Sequence, residues 1–94
     1  MRNIFVKKLI EHATLKKNVY LLTADLGFNC FEDFQKKFPE RFINIGIAEN
    51  NMLGIATGLA MQGKEVYVYS IIPFLLYKSF EHIKNYISTY DLNI

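Results

Sequence analysis

One cysteine, Cys30, stands in a chain of 94 residues. No internal disulfide can form, and a reducing compartment is the simpler home. No segment approaches the ~20 consecutive apolar residues that a bilayer span needs. The apolar start Ile4-Phe5-Val6 runs into Lys7-Lys8 before a secretion-signal core develops. These absences predict a cytoplasmic protein without membrane contact. Neither G-x-G-x-x-G nor G-x-x-x-x-G-K occurs, so the two common phosphate-cradling loops are missing. No group of His, Cys and carboxylates has metal-ligand spacing, so no metal is expected on this chain. The net charge is only +2, with the Lys and Arg residues spread along the chain. That excludes a nucleic-acid groove. Internal repeats, low-complexity tracts and linkers are also lacking. The length allows one domain or less, and excludes a self-contained two-domain enzyme.

What is present is a globular balance, 51% apolar and 21% charged. Phe5, Val6, Leu9, Ile10 and Ala13 recur at helical spacing with polar residues between them, which predicts an amphipathic first helix. His12, like His82 later, is expected on a solvated polar face. Val19 to Ala24 is an unbroken apolar run, as in a parallel strand covered on both faces. A short helix is expected over Phe31 to Phe38, stopped near Pro39. A second strand follows over Arg41 to Ile47. A helix over Glu49 to Met61 ends at Gly63, and a third strand runs over Val66 to Ile72. A long amphipathic helix is predicted from Pro73 to about Tyr90, with Leu76, Phe80, Ile83 and Ile87 as its stripe. Gly54 and Gly58 would allow close packing of helix on sheet. Alternating strands and helices signal βαβ units in a parallel sheet. Three strands leave open edges. Asp91 to Ile94 reads as the approach to a fourth strand, so a truncated domain, or one completed by a partner chain, is expected.

Ligands of open α/β sheets bind outside the carboxyl ends of the strands. Three segments end there and each carries an unusual residue: Asp25 before Gly27, Glu49 at a helix start, and aromatic residues at 74, 77 and 80 on one helix face. Each has a plain structural explanation when taken singly. The helix dipole favours a first-turn Glu49 by ~0.3–1 kcal/mol without any catalysis. Asp25 suits a turn or a cap. Phe74, Tyr77 and Phe80 suit a core. Cys30 has no nearby histidine and reads as a packed thiol.

Four strings change that balance when taken together. Residues 38–52, FPERFINIGIAENNM, resemble the FPxRFIxxGIAEQNM stretch of the transketolase family. LTADLG at 22–27 resembles the first strand of that family's pyrimidine-binding domain. GIATGLA at 54–60 and YSIIPFL at 69–75 continue the match in order and at similar spacing. The likeness is nearest to the separate C-terminal section of two-chain bacterial transketolases. It implies a three-layer αβα fold with a small parallel sheet, here a partial pyrimidine-binding domain over residues 1–94. It also implies thiamine diphosphate, bound between two domains. A diphosphate-binding subunit would hold the diphosphate and its Mg ion, and this chain would receive the aminopyrimidine ring across a dimer or hetero-oligomer interface.

On that resemblance Glu49 is the catalytic residue. Its carboxyl would hydrogen-bond a ring nitrogen and favour the imino tautomer, which would take the proton from the thiazolium carbon. The role demands a Glu49 shielded from water. Phe74, Tyr77 and Phe80 match positions that pack around the pyrimidine, Ile47 would line the same pocket, and Asp25 matches an acidic position near the cofactor. The implied activity is transfer of a two-carbon ketol unit between sugar phosphates, in concert with the partner. Asn50 departs from the family's commoner glutamine or histidine. The further strands, the third domain and the sugar-phosphate contacts of the family have no counterpart in these 94 residues, so the chain alone is not expected to turn over. The alternatives are an inactive remnant or interaction module of the same fold, or part of a related thiamine enzyme. Deoxyxylulose phosphate synthase and a keto acid dehydrogenase beta subunit are of that last kind.

Overall fold

A computed structural model describes residues 1–94, the whole of the chain. Helix α1 spans Arg2–Leu15 and buries Val6, Leu9 and Ala13, one stripe of the expected set. Its last carbonyls meet a cation, because Arg41 donates to the oxygens of Ala13 at 3.1 Å and Lys16 at 2.9 Å. A guanidinium is favoured at that negative end of the helix. Strand β1, Val19–Thr23, forms the centre of the sheet. It pairs in parallel with β2, Phe42–Asn44, on one side and β3, Glu65–Tyr69, on the other. Helix α2, Glu32–Lys37, lies between β1 and β2 in the chain, and helix α3, Glu49–Met61, between β2 and β3. α3 has the bounds its pattern predicts. It ends in a Schellman turn: Gly63, at φ +84°, donates to Ala60 O, and Lys64 donates to Leu59 O.

The path from β1 to β2 runs one way along the sheet, and the path from β2 to β3 runs back over β1. Right-handed crossovers in opposite directions put their helices on opposite faces. The core divides accordingly. Val19 and Leu21 pack with Val6, Leu9, Ala13, Phe31 and Phe34 under α1 and α2. Leu22 and Ala24 pack with Met52, Leu53, Ala56, Val66 and Leu75 under α3 and the C-terminal segment. β1 is thus covered on both faces, which is why its sequence is continuously apolar rather than alternating. The expected three-layer α/β architecture is present.

Four expectations need correction. β2 stops at Asn44 instead of Ile47, because Gly46 turns the chain at φ +81° and donates to the Asn44 carboxamide at 3.0 Å. β3 runs Glu65–Tyr69 and stops three residues early. Neither Gly54 nor Gly58 lets a helix press on the sheet: a Cβ at 54 would meet only His82, and one at 58 nothing.

The fourth correction concerns the long C-terminal helix, which is broken. α4 spans Ile72–Leu76, turns occupy 77–79, α5 is Phe80–His82, and a π-helical stretch covers Ile83–Ser88. The residues turned inward are Leu75, Ser79, Ile83 and Ile87, not Leu76 and Phe80, which are exposed. Their strict four-residue spacing overshoots an α-helical turn by about 40° per step. The wider π turn absorbs that drift and keeps the stripe on the sheet. Beyond it, Asn93 O accepts from the Val66 N–H at 3.0 Å on the outer edge of β3, and Ile94 packs on the second core cluster. The approach to a fourth strand therefore amounts to one ladder-like hydrogen bond.

Candidate functional site at the carboxyl end of the sheet

The chain leaves β1 towards one face, and leaves β2 and β3 towards the other. The resulting crevice lies over the end of β1, where ligands of such sheets bind. Its first wall is the loop after β1. Thr23 Oγ1 donates to Leu26 O at 2.8 Å. Asp25 stands at φ +54°, a left-handed conformation that costs most side chains energy. Gly27, at φ +90°, packs so closely on Phe31 that a Cβ there would overlap the ring. The second wall is the end of β2. The Asn44 carboxamide oxygen accepts from the N–H groups of Asp25 and Gly46, both at 3.0 Å, and its amide donates to Asp25 Oδ1 at 3.1 Å.

Glu49 opens α3 with Ala48 as its cap residue. It is 5% exposed and forms no ion pair. Ser70, itself buried just past β3, donates to Glu49 Oε1 at 3.3 Å. Ser79 Oγ is the one fully buried polar side-chain atom without a hydrogen-bond partner. Glu49 Oε2, which has no partner either, therefore keeps contact with solvent. A carboxylate offers about four acceptor positions, and here one protein hydroxyl uses one. The group is held in a largely buried setting, without a counter-charge, with one oxygen free.

The aromatic residues at 74, 77 and 80 do not share one continuous helix face. Phe74 lies on α4, Tyr77 in the following turn and Phe80 at the start of α5. None is core: all three are exposed, Tyr77 at 81%, and Ile47 beside Glu49 is 83% exposed. A cavity of about 460 Å³ separates the β1 loop from the end of β3, lined by Arg2, Leu26, Gly27, Ser70, Ile72 and Leu75 among others. The structure thus brings Glu49 to Ser70 and Asp25 to Asn44, and makes no pair among the aromatic residues and Glu49. Sequence reasoning missed Ser70, Asn44 and Arg2. For Ser70 a signal existed, a hydroxyl ending an apolar strand. For Arg2 and Asn44 only the fold supplies the partner.

The opposite end of β3 carries a separate polar cluster. Glu65 Oε1 accepts from His12 Nε2 at 2.7 Å and from the Tyr67 hydroxyl at 2.8 Å, with Lys16 Nζ 3.7 Å from Oε2. Burial pushes the Glu65 carboxyl up, but the Tyr67 and His12 hydrogen bonds and the nearby positive charge outweigh it and hold it below the ordinary value. Burial and then the bond to Glu65 push the Tyr67 phenol up. His12 is therefore not a merely solvated residue. His82, half-buried against Gly54 and tilted on Tyr86 with ring centroids 5.3 Å apart, is not one either.

Comparison with known proteins agrees with this geometry. The family model for the transketolase pyrimidine-binding domain matches residues 1–93. The chain is 41% identical over 95 residues to a putative transketolase C-terminal section from Methanocaldococcus jannaschii, covering 100% of this chain and 30% of that one. It is 37% identical over 84 residues to one of the subunits of an apulose-4-phosphate transketolase from Phocaeicola vulgatus, covering 88% of this chain and 27% of that one. Among solved structures, a split-gene transketolase described as an inactive beta4 tetramer superposes with a TM-score of 0.88 at 39% identity, over 98% of this chain and 31% of its own. The chain spans less than a third of the length of these proteins. Members of the family are thiamine diphosphate enzymes. With a family-model match over residues 1–93 and a superposition over 98% of its length, the chain belongs to the transketolase family, as a pyrimidine-binding domain.

Proposed function

We propose that this domain receives the aminopyrimidine half of thiamine diphosphate in a split transketolase that moves a two-carbon ketol unit between sugar phosphates. The observation that carries the reading is Glu49, a buried carboxylate with no cation beside it and one oxygen free. That setting suits a weakly basic ring nitrogen: a protonated Glu49 would donate its O–H to the nitrogen, and with the proton moved across, the carboxylate would accept from the ring N–H. A single hydrogen bond of this kind in a buried crevice is strong, and Ser70 keeps the carboxyl group turned towards it. Ile47, Phe74, Tyr77 and Phe80 would supply apolar and flat surface to the ring, and covering them on binding removes exposed hydrocarbon from water. Asp25 would border the same crevice. The cofactor supplies the electron sink. Glu49 holds a proton at the ring nitrogen, and the aromatic residues set the plane of the ring. Arg2 adds a cation to the lining of the 460 Å³ cavity, which suits an anionic substrate such as a sugar phosphate.

The diphosphate and its magnesium ion are assigned to a partner subunit on the family likeness. The broad apolar exposure at this end of the sheet supports a dimer or hetero-oligomer. Titration calorimetry with thiamine diphosphate and magnesium tests the assembly: heat is expected only when a diphosphate-binding subunit is mixed in. A mixture with neither heat nor ketol transfer assigns the chain to an inactive remnant of the fold. In the active mixture, Glu49→Gln should slow exchange of the thiazolium proton at least 100-fold, followed by NMR. An unchanged rate removes Glu49 from the mechanism.

A further inference from the structure

We infer that Asn44 is a positioning residue whose carboxamide clasps the loops after β1 and β2 and thereby sets where Glu49 and Asp25 stand across the crevice. The inference rests on the proposed function for the meaning of that placement, but not for the clasp itself. Asn44 is the last residue of β2, where the ladder ends and backbone groups need other partners. Its oxygen takes two N–H groups, those of Asp25 and Gly46, and its amide takes the Asp25 carboxylate. No other side chain bonds both loops. A carboxamide suits this geometry because its oxygen can take two N–H groups while a separate N–H donates to Asp25; leucine has neither group, and an ionised aspartate only accepts.

The effect travels along a short bonded path. The bond to Gly46 N–H secures its left-handed turn at φ +81°. Gly46 O in turn accepts from the Ala48 N–H at 2.8 Å, a tight three-residue turn. Ala48 O accepts from Met52 N–H at 2.9 Å and so starts α3, with Glu49 as its first residue. This path leaves Ile47 facing outward and turns Glu49 inward to Ser70. The other arm bonds both the N–H and the carboxylate of Asp25, which stands in the left-handed region at φ +54°. Asn44 itself is exposed, so its bonds compete with water and add little to global stability. Their scale suits the ordering of two loops, not the holding of the fold.

The variants Asn44→Ala and Asn44→Asp test this. Asn44→Ala removes all three bonds. Asn44→Asp keeps the acceptor and replaces the donor by a charge of the same sign as Asp25. Amide hydrogen exchange is measured by NMR on the full chain. In Asn44→Ala, protection of Asp25 and Gly46 should fall at least tenfold while that of Leu21 and Val66 in the sheet stays as in the parent. In Asn44→Asp the loss should appear at neutral pH and reverse as the pH falls through the carboxylate range, when a shared proton restores the donor. Unchanged protection in both variants overturns the clasp. In the assembly with the diphosphate-binding subunit, both variants should slow thiazolium proton exchange with less effect on cofactor affinity. Loops that loosen without slowing it overturn the positioning role. Failure of Glu49→Gln to slow the same exchange overturns the proposed function, and the protection result on Asn44 stands apart from it.

Discussion

The two faces of the sheet are finished differently. Under α1 and α2 the core is tied at its margins: Arg41 stacks on Phe38, with its guanidinium carbon 3.9 Å from the ring centre, and reaches the carbonyls of Ala13 in α1 and Lys16 just past it. His12 of α1 bonds Glu65 of β3. Phe31 and Tyr69 meet edge to face at 4.8 Å. Under α3 and the C-terminal segment, one pair of side chains, Ser70 and Glu49, joins two elements by a hydrogen bond. A buried hydroxyl, Ser79 Oγ, goes unmatched there, and Ile72, Phe74, Leu76, Tyr77 and Phe80 stay in water. The first face also leaves Ile4, Leu15 and Phe28 in water, but its margins are tied by side-chain bonds. The second gathers exposed apolar residues in one segment, 71–80, beside an unmatched hydroxyl.

The largest expected effect lies on the first face. Phe34 is fully buried, and Phe34→Ala should cost about 3–5 kcal/mol by urea titration. Phe80→Ser, on the second face, should stay within about 0.5 kcal/mol. Similar losses for the two would erase the contrast. Next, Arg41→Ala should cost about 1.5–3 kcal/mol, since it uncaps α1 and leaves the Phe38 ring uncovered. A cost no larger than that of an ordinary surface change would show that the first face does not depend on its polar ties.

The Glu65 cluster adds a smaller, pH-dependent contribution of about 1 kcal/mol. Its folded carboxyl titrates below the ordinary value of 4.5, so the stabilisation is present above that value and is lost as the pH falls through the lower, folded one. The acid limb of a stability–pH curve should flatten in Glu65→Gln; a parent-like limb would contradict the assignment. The smallest effect should come from Ser79→Ala, which removes the unmatched hydroxyl and should raise stability by up to about 1 kcal/mol. A clear loss would mean that Ser79 has a partner after all.

The sequence was legible wherever one residue pattern had one physical solution. α3 was readable to the residue, because Gly63 allows a Schellman turn and a glutamate suits the first turn of a helix. β1 was readable because a doubly covered strand needs apolar residues on both faces. The segment after Pro73 was not. Two overlapping stripes are available, 76-80-83-87, all apolar, and 75-79-83-87, which includes Ser79; apolar content and the α-helical period both favour the first. Contact with α3 and the sheet selects the second, at the expense of a break and a π turn. At the site, Glu49 was marked by its place at a helix start and by the family likeness. The partners Ser70 and Asn44 lie 21 and 19 positions from the groups they bond, and no local pattern announces such pairs.

By itself, then, the chain's order of residues determined the layers and the parallel sheet, because hydrophobic period and turn chemistry act over a few neighbouring positions, and its four strings carried the likeness to the family. The tertiary structure alone decided the setting of the Glu49 side chain, buried, without an ion-pair partner and with one oxygen free. It also decided which aromatic residues remain in water. Burial and hydrogen bonding are properties of what meets in space, and in this fold the crevice is assembled from three strand ends that sequence keeps far apart.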